Sequence, residues 1–351
     1  MLKKYKLAPQ TKFYDSMAAN WKPFIMFSQF PNLRSKFCNT DANGLRFNNF
    51  NNKNNFVSIF DENVKTNKKK AVIVGNSFSF GEGASSDSQT ISNLLSENSD
   101  YHFYNLSGRG FSGFQEITNF LLHSNYLRKL NKIIIISGCN DAFLPYYKKN
   151  MFENFLEPIH GYKLFKSSMK KTASGWKNRL AKLLLGNIFK NINWDRINRL
   201  NWKNEISNRF EKLENNVPKN PDEHLQLIIE NNIRHWSVIS KGMNVEVDFV
   251  LQPVGTWTKK KLTKEENDLF SEEISMEGQE IIYKHIDIKK YNFMREILKK
   301  TTSQYGINFL DLNEYFSHDK FNEEWLFLSR FLFNDKGNKY LSDYLLSKLI
   351  S

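Results

Sequence analysis

Residues 68–83 read Lys68-Lys69-Lys70-Ala71-Val72-Ile73-Val74-Gly75-Asn76-Ser77-Phe78-Ser79-Phe80-Gly81-Glu82-Gly83. Three lysines lead into four consecutive apolar residues that close on a glycine. A short unbroken apolar run ended by a turn residue reads as a strand buried on both faces. Four further candidates follow: His102–Leu106, Lys132–Ser137 with four isoleucines in a row, Val245–Leu251 and Ile307–Leu310. The segments between them are long enough for helices, and strand-helix alternation predicts an α/β fold with a five-stranded parallel sheet covered on both faces.

Working outward, Ser137 and Val245 are separated by about a hundred residues, far more than one crossover helix needs. A helical insertion is therefore expected at about 150–240. Within it Trp176, Leu180, Leu183, Leu184 and Ile188 recur at helical spacing among lysines and arginines, the pattern of an amphipathic basic helix. Its apolar stripe can pack on the core or face an anionic membrane surface or lipid-linked glycan. Upstream, residues 1–67 are rich in turn formers, notably from Asn48 to Asn55, and are expected to form an irregular extension packed on the core. The main domain is read as 68–351.

Composition bounds the function. With 40% hydrophobic residues, 15% aromatic and 30 Phe among 351 residues, the chain can bury a real core. The formal net charge of +13 permits attraction to anionic lipid, nucleic acid or acidic glycan. No zinc-knuckle spacing, RNP-like aromatic motif or P-loop supports nucleic acid, so none is expected as a partner. Two distant cysteines, Cys38 and Cys139, suggest neither a disulfide framework nor a zinc site, and point to a reducing compartment. No run of about 18 apolar residues occurs, and no apolar segment follows the basic start Met1–Lys6, so a soluble cytoplasmic protein is expected. The histidines lack metal-ligand spacing; neither a metal nor a cofactor is expected.

Ser77 falls where a parallel strand ends and a helix should begin, the edge at which open α/β sheets bind ligands. Its hydroxyl can enter the cleft while its N–H meets a developing oxyanion, although a serine there also serves as an ordinary helix cap. After the second strand comes Asn105-Leu106-Ser107-Gly108-Arg109-Gly110-Phe111-Ser112-Gly113, and after the third Ser137-Gly138-Cys139-Asn140-Asp141. Both loops lie at the same edge, and the second offers an Asn amide donor. Asp141 beside it reads best as a cap for the following helix.

These three blocks, in order, resemble the SGNH/GDSL hydrolase family. Phe249-Val250-Leu251-Gln252-Pro253 and Asn39-Thr40-Asp41-Ala42-Asn43-Gly44-Leu45-Arg46 are similar to segments of bacterial members associated with surface-polysaccharide loci. The resemblance implies a flavodoxin-like three-layer α/β/α sandwich. It implies Ser77 as nucleophile, and the N–H of Ser77, the N–H of Ser107 at a position usually held by glycine, and the Asn140 side chain as oxyanion donors. Asn76, Gly108 and Arg109 are read as substrate-binding, Arg109 for an anionic group.

The family's last block, Asp-x-x-His before a short polar turn, departs here. The turn is present in Asn334-Asp335-Lys336-Gly337-Asn338, but counting back puts Ser329 at the acid and Leu332 at the base. Leucine cannot accept a proton. His318, beside Asp319, is the candidate substitute base, and Asp335 just beyond the turn is a second residue that a rearranged loop could bring to Ser77. The expected function is a serine esterase or acyl-transfer protein acting on an O-acylated carbohydrate. The alternative is an inactive relative that binds a glycan or serves as an assembly scaffold.

Overall fold

The computed structural model describes residues 2–17, 19–22, 24–50, 55–61, 68–143, 145, 220–274 and 286–350. The helix expected at Trp176–Lys190 and most of the insertion lie outside the described residues.

Five strands form one sheet: β1 (Lys69–Gly75), β2 (Tyr101–Asn105), β3 (Leu130–Ser137), β4 (Glu246–Leu251) and β5 (Asn308–Asp311), in the order β2-β1-β3-β4-β5. All neighbours pair in parallel, with Val72 opposite Tyr104 on one side and Ile133 on the other. This is the flavodoxin-like order, and the direction of winding reverses between β1 and β3, so a crevice opens above their carboxyl ends.

Alternation along the strands splits the core in two. Val72, Val74, Ile133, Ile135 and Phe249 pack on one face against α3 (Gly113–His123), α5 (Pro221–Met243) and α7 (Ile288–Tyr305), whose Phe120, Trp236 and Met294 are fully buried. Ala71, Ile73, Ile134 and Ile136 face the other way, onto Ile91 and Leu95 of α2 (Ile91–Glu97) and Leu341 and Leu345 of α9 (Asp335–Leu345). The result is the three-layer sandwich expected from the alternating strands and helices. Each isoleucine buried here contributes about 1.5–3 kcal/mol.

The amino-terminal layer is more regular than its composition suggests. It holds two short helices, Lys3–Leu7 and Gln10–Ser16, and two antiparallel ribbons, Ala19–Lys22 with Met26–Gln29 and Asn48–Phe50 with Asn55–Val57. Elements of three to seven residues are too short to leave a periodic signature. One tie from this layer to the core is Arg46, whose side chain is wholly buried. Its Nε donates to Asp87 Oδ1 at 2.7 Å, Nη1 to the carbonyls of Phe80 and Gly81, and Nη2 to Phe37 O and Tyr14 Oη. Asn39 donates to both oxygens of Asp87. The charge is thus neutralised and every guanidinium nitrogen is occupied.

Removing one partner of such a pair strands a buried charge, which costs about 3–5 kcal/mol. Arg46→Ala is expected to lower the urea midpoint by that free energy. An Arg46→Met, Asp87→Leu double variant should recover part of the loss, as read from denaturation curves of equal slope.

Candidate functional site

The crevice is built from four strand-end segments. The first follows β1. A Cβ added at Gly75 would sit 2.1 Å from Ile136 O, so only glycine lets β1 run this close to β3. Asn76 then caps the short helix α1 (Ser77–Phe80): its Oδ1 accepts from Phe78 N at 2.9 Å, and its Nδ2 donates to Gln252 Oε1 at 2.5 Å. Asn76 is buried and both ends of its amide are engaged, so it orients the loop and is not presented to a substrate. Ser77 itself is half-buried. Among the described residues no side chain hydrogen-bonds its Oγ, and its N–H has no acceptor.

In the second segment the two backbone donors that follow Leu106 are committed. Ser107 N donates to Asn105 Oδ1 at 3.0 Å, and Gly108 N to Gly75 O at 2.9 Å. The N–H expected to meet an oxyanion is thus turned into the loop, leaving the Ser107 hydroxyl buried without a hydrogen-bond partner. Gly108 is required where it stands, because a Cβ there would be 2.2 Å from the Phe111 ring. Arg109 is not free for an anionic substrate. It forks onto Glu82 at 2.9 and 3.1 Å, and donates to Met17 O and Tyr14 O. Its charge is already matched and its donors hold the amino-terminal layer.

The third segment follows β3 through Gly138, in the left-handed region at φ 104°, into α4 (Cys139–Phe143). Asn140 is half-buried and donates from Nδ2 to Phe111 O at 2.7 Å, which leaves one of its two amide hydrogens for a ligand. Asp141 does not cap its own helix. It accepts from Gly113 N at 3.0 Å and from Asn232 Nδ2 at 3.4 Å, so it caps α3 instead. Beside it Ser137 donates to Glu116 at 2.6 Å. Burial raises the Asp141 carboxyl to about 6, and burial together with the neighbouring Asp141 charge holds Glu116 well above the usual carboxylate range.

The fourth segment is the hairpin of Phe327–Ser329 with Leu332–Phe333. It stands against α1, with the rings of Phe78 and Phe333 5.2 Å apart. Glu266, neutralised by buried Lys260 at 2.5 Å, accepts the N–H groups of Leu326 and Phe327 and fixes its entry. The turn's carbonyls are held by one main-chain and one side-chain donor: Gly255 N donates to Arg330 O, and Gln252 Nε2 to Phe331 O. Gln252 therefore spans from Asn76 to the turn. Ser329 Oγ accepts from Phe331 N inside the turn, and Leu332 is half-buried beside it. Leu332 cannot accept a proton, and Ser329 makes no hydrogen bond to Ser77.

The substitutes are not at hand either. His318 is exposed, with its ring 6.4 Å from that of Tyr315, and it makes no hydrogen bond to Ser77. Asp335 accepts the N–H and hydroxyl of Ser85. The crevice thus brings Ser77, Ser107 and Asn140 to one sheet edge and leaves His318 outside. Sequence reading missed Gln252, Asn105, Glu116 and Asn232; the one local signal was a glutamine ending the buried run Phe249–Leu251. Among the described residues no group of three or more His, Cys, Asp or Glu side chains could hold a metal, and no helix is long and apolar enough to cross a membrane. Cys38 and Cys139 are buried free thiols.

No family model matches the sequence, and no curated protein is similar to it. Similar solved structures include an acetyl xylan esterase at 12% identity, covering 80% of this chain and 100% of its own, with a TM-score of 0.37. A lipase/acylhydrolase from Enterococcus faecalis matches at 10% identity, 80% and 95% coverage and a TM-score of 0.40. A member of the lipolytic G-D-S-L family from Veillonella parvula matches at 10% identity, 80% and 98% coverage and a TM-score of 0.42. What each acts on is a property of that protein.

Because Asp141 holds its proton more tightly folded than unfolded, its contribution to stability is complete below the ordinary value of 3.8 and is lost as pH rises through about 6. The shift corresponds to about 3 kcal/mol. Asp141→Asn, which keeps an acceptor for Gly113 N, should flatten that fall in stability when urea midpoints are compared from pH 4 to pH 7.

Proposed function

We propose that this chain carries the substrate crevice of an SGNH-type serine esterase or acyl-transfer protein without its general base, and binds an ester-bearing carbohydrate that such an enzyme would process. The observation that carries this is the turn Ser329–Leu332. By the count back from Asn334–Asn338 it stands where the resemblance expects an acid and a base, and the side chains of Ser329 and Leu332 supply neither. A serine hydroxyl at its ordinary acidity is a poor nucleophile unless a base takes its proton, and losing the base typically costs several orders of magnitude in turnover.

Binding needs less. The N–H of Ser77 and the second amide hydrogen of Asn140 are donors available to a carbonyl or ester oxygen, and the half-exposed Ser77 hydroxyl can donate or accept beside them. An O-acylated sugar of a surface polysaccharide is the ligand class, on the likeness of the segments Asn39–Arg46 and Phe249–Pro253 to the polysaccharide-associated members. The net charge of +13 suits a peripheral approach to an anionic membrane bearing a lipid-linked glycan, and a cytoplasmic setting agrees with the two unpaired cysteines. A second reading, residual esterase or acyl-transfer activity through Ser77, draws on the same unspent donors, which would stabilise a tetrahedral intermediate.

Labelling by a fluorophosphonate probe and turnover of p-nitrophenyl acetate separate the two. The wild-type chain is expected to show neither above the level of Ser77→Ala. The double substitution Ser329→Asp, Leu332→His should create Ser77-dependent turnover at least about 100-fold above that level, the lower end of what general acid–base catalysis supplies. Labelling of wild type that disappears in Ser77→Ala, with turnover, would replace binding by the esterase reading.

A further inference from the structure

The second and third crevice segments are joined by three contacts. Asn140 donates to Phe111 O at 2.7 Å, Gly113 N to Asp141 at 3.0 Å, and Ser137 to Glu116 at 2.6 Å. Two of the three end on carboxyls, one from α3 and one from α4, that are 1% and 6% exposed. The seam is closely fitted: a Cβ added at Gly113 would stand 2.2 Å from Asn232 Nδ2 and 2.8 Å from Asp141 Oδ2.

Among the described residues the surroundings hold no countercharge. From β3 the pair meets the Ser137 hydroxyl, from α3 the Gly113 N–H, from α5 the Asn232 amide, and from α4 the Cys139 thiol; no Lys, Arg or His acts on either carboxyl. Two carboxylates in one dry seam without a cation cannot both be accommodated at low cost. Nothing in the binding role of Ser77 uses them, yet Asp141 follows Asn140 directly in the chain.

We propose that Glu116 and Asp141 form a proton-retaining latch beneath the crevice. While the pair holds one proton, the two segments stay closed and Asn140 stays aimed at the ligand; release of that proton to water parts the seam and frees Asn140. Asp141 ionises first, supported by the α3 N–H, and Glu116 keeps the proton until higher pH. The latch rests on the proposed binding site only for its consequence, since the closure itself is a property of the seam.

The test is amide NMR of the full chain between pH 5 and pH 9, following the Gly113 resonance and its hydrogen-exchange protection. The Gly113 shift is expected to titrate near pH 6 with protection retained. Protection should then fall about tenfold or more at a second, higher step, since one pKa unit of differential binding is tenfold in the equilibrium. Glu116→Gln, which cannot ionise, should keep the first step and abolish the second. Should that variant not fold, Asp141→Asn serves, leaving one acid and protection that does not fall. Protection unchanged across the range in wild type, or falling equally in the variants, overturns the latch. No ligand enters this readout, so its failure leaves the binding proposal standing, and failure of the labelling experiment leaves the latch.

Discussion

The approach of β1 to β3 at Gly75 is the constraint on which the rest depends. With Ile136 O where a Cβ would be, the two strands stay paired as far as Gly75 and Ile136, and the winding of the sheet reverses between them. Everything placed at that edge follows from it: Asn76 and Ser77 on one side, Ser137 and Asn140 on the other, and the loop after β2 pinned by Gly108 N on Gly75 O. A side chain at residue 75 would force the strands apart, and the donors that face the crevice would no longer converge.

The polar groups at this edge fall into two populations. Most are spent on architecture: Asn76 on Gln252, Asn105 on Ser107, Arg109 on Glu82, Asp335 on Ser85. Few are left over, chiefly the N–H and hydroxyl of Ser77 and one hydrogen of Asn140. An enzyme of this arrangement would add a base to the second group. The hairpin beside α1 is firmly built, through Glu266, Gly255 and Gln252, and its Ser329 hydroxyl is bonded within its own turn. The crevice is therefore well formed, and among the described residues no side chain hydrogen-bonds the Ser77 hydroxyl.

The sheet could be read in the sequence because each strand is a compact apolar run and needs no distant partner to be seen. Ser77 and Asn140 were legible for the same reason, as polar residues just past such runs. What escaped is whatever depends on contacts far apart in the chain. Arg109 looks like an anion-binding residue until Glu82, Tyr14 and Met17 meet it in space, and Ser107 N looks available until the Asn105 side chain turns back onto it. The acid pair is still less visible, since Glu116 reads as an ordinary helix residue and only burial against α4 makes it unusual. The short amino-terminal elements escaped because three to seven residues carry too little pattern.

Arg46 has a kinetic meaning as well. Its five acceptors come from the Gln10–Ser16 helix, the Phe37 loop, the end of α1 and Asp87, so a desolvated guanidinium is tolerable only when all are assembled. The last steps of folding should then be concerted: the central sheet, with its own core, can form first, but the amino-terminal layer docks as a unit or not at all. The same logic runs in reverse. Thermal fluctuations that lift the Gln10–Ser16 helix or the Phe37 loop must rehydrate the arginine, so these two segments resist fraying one at a time.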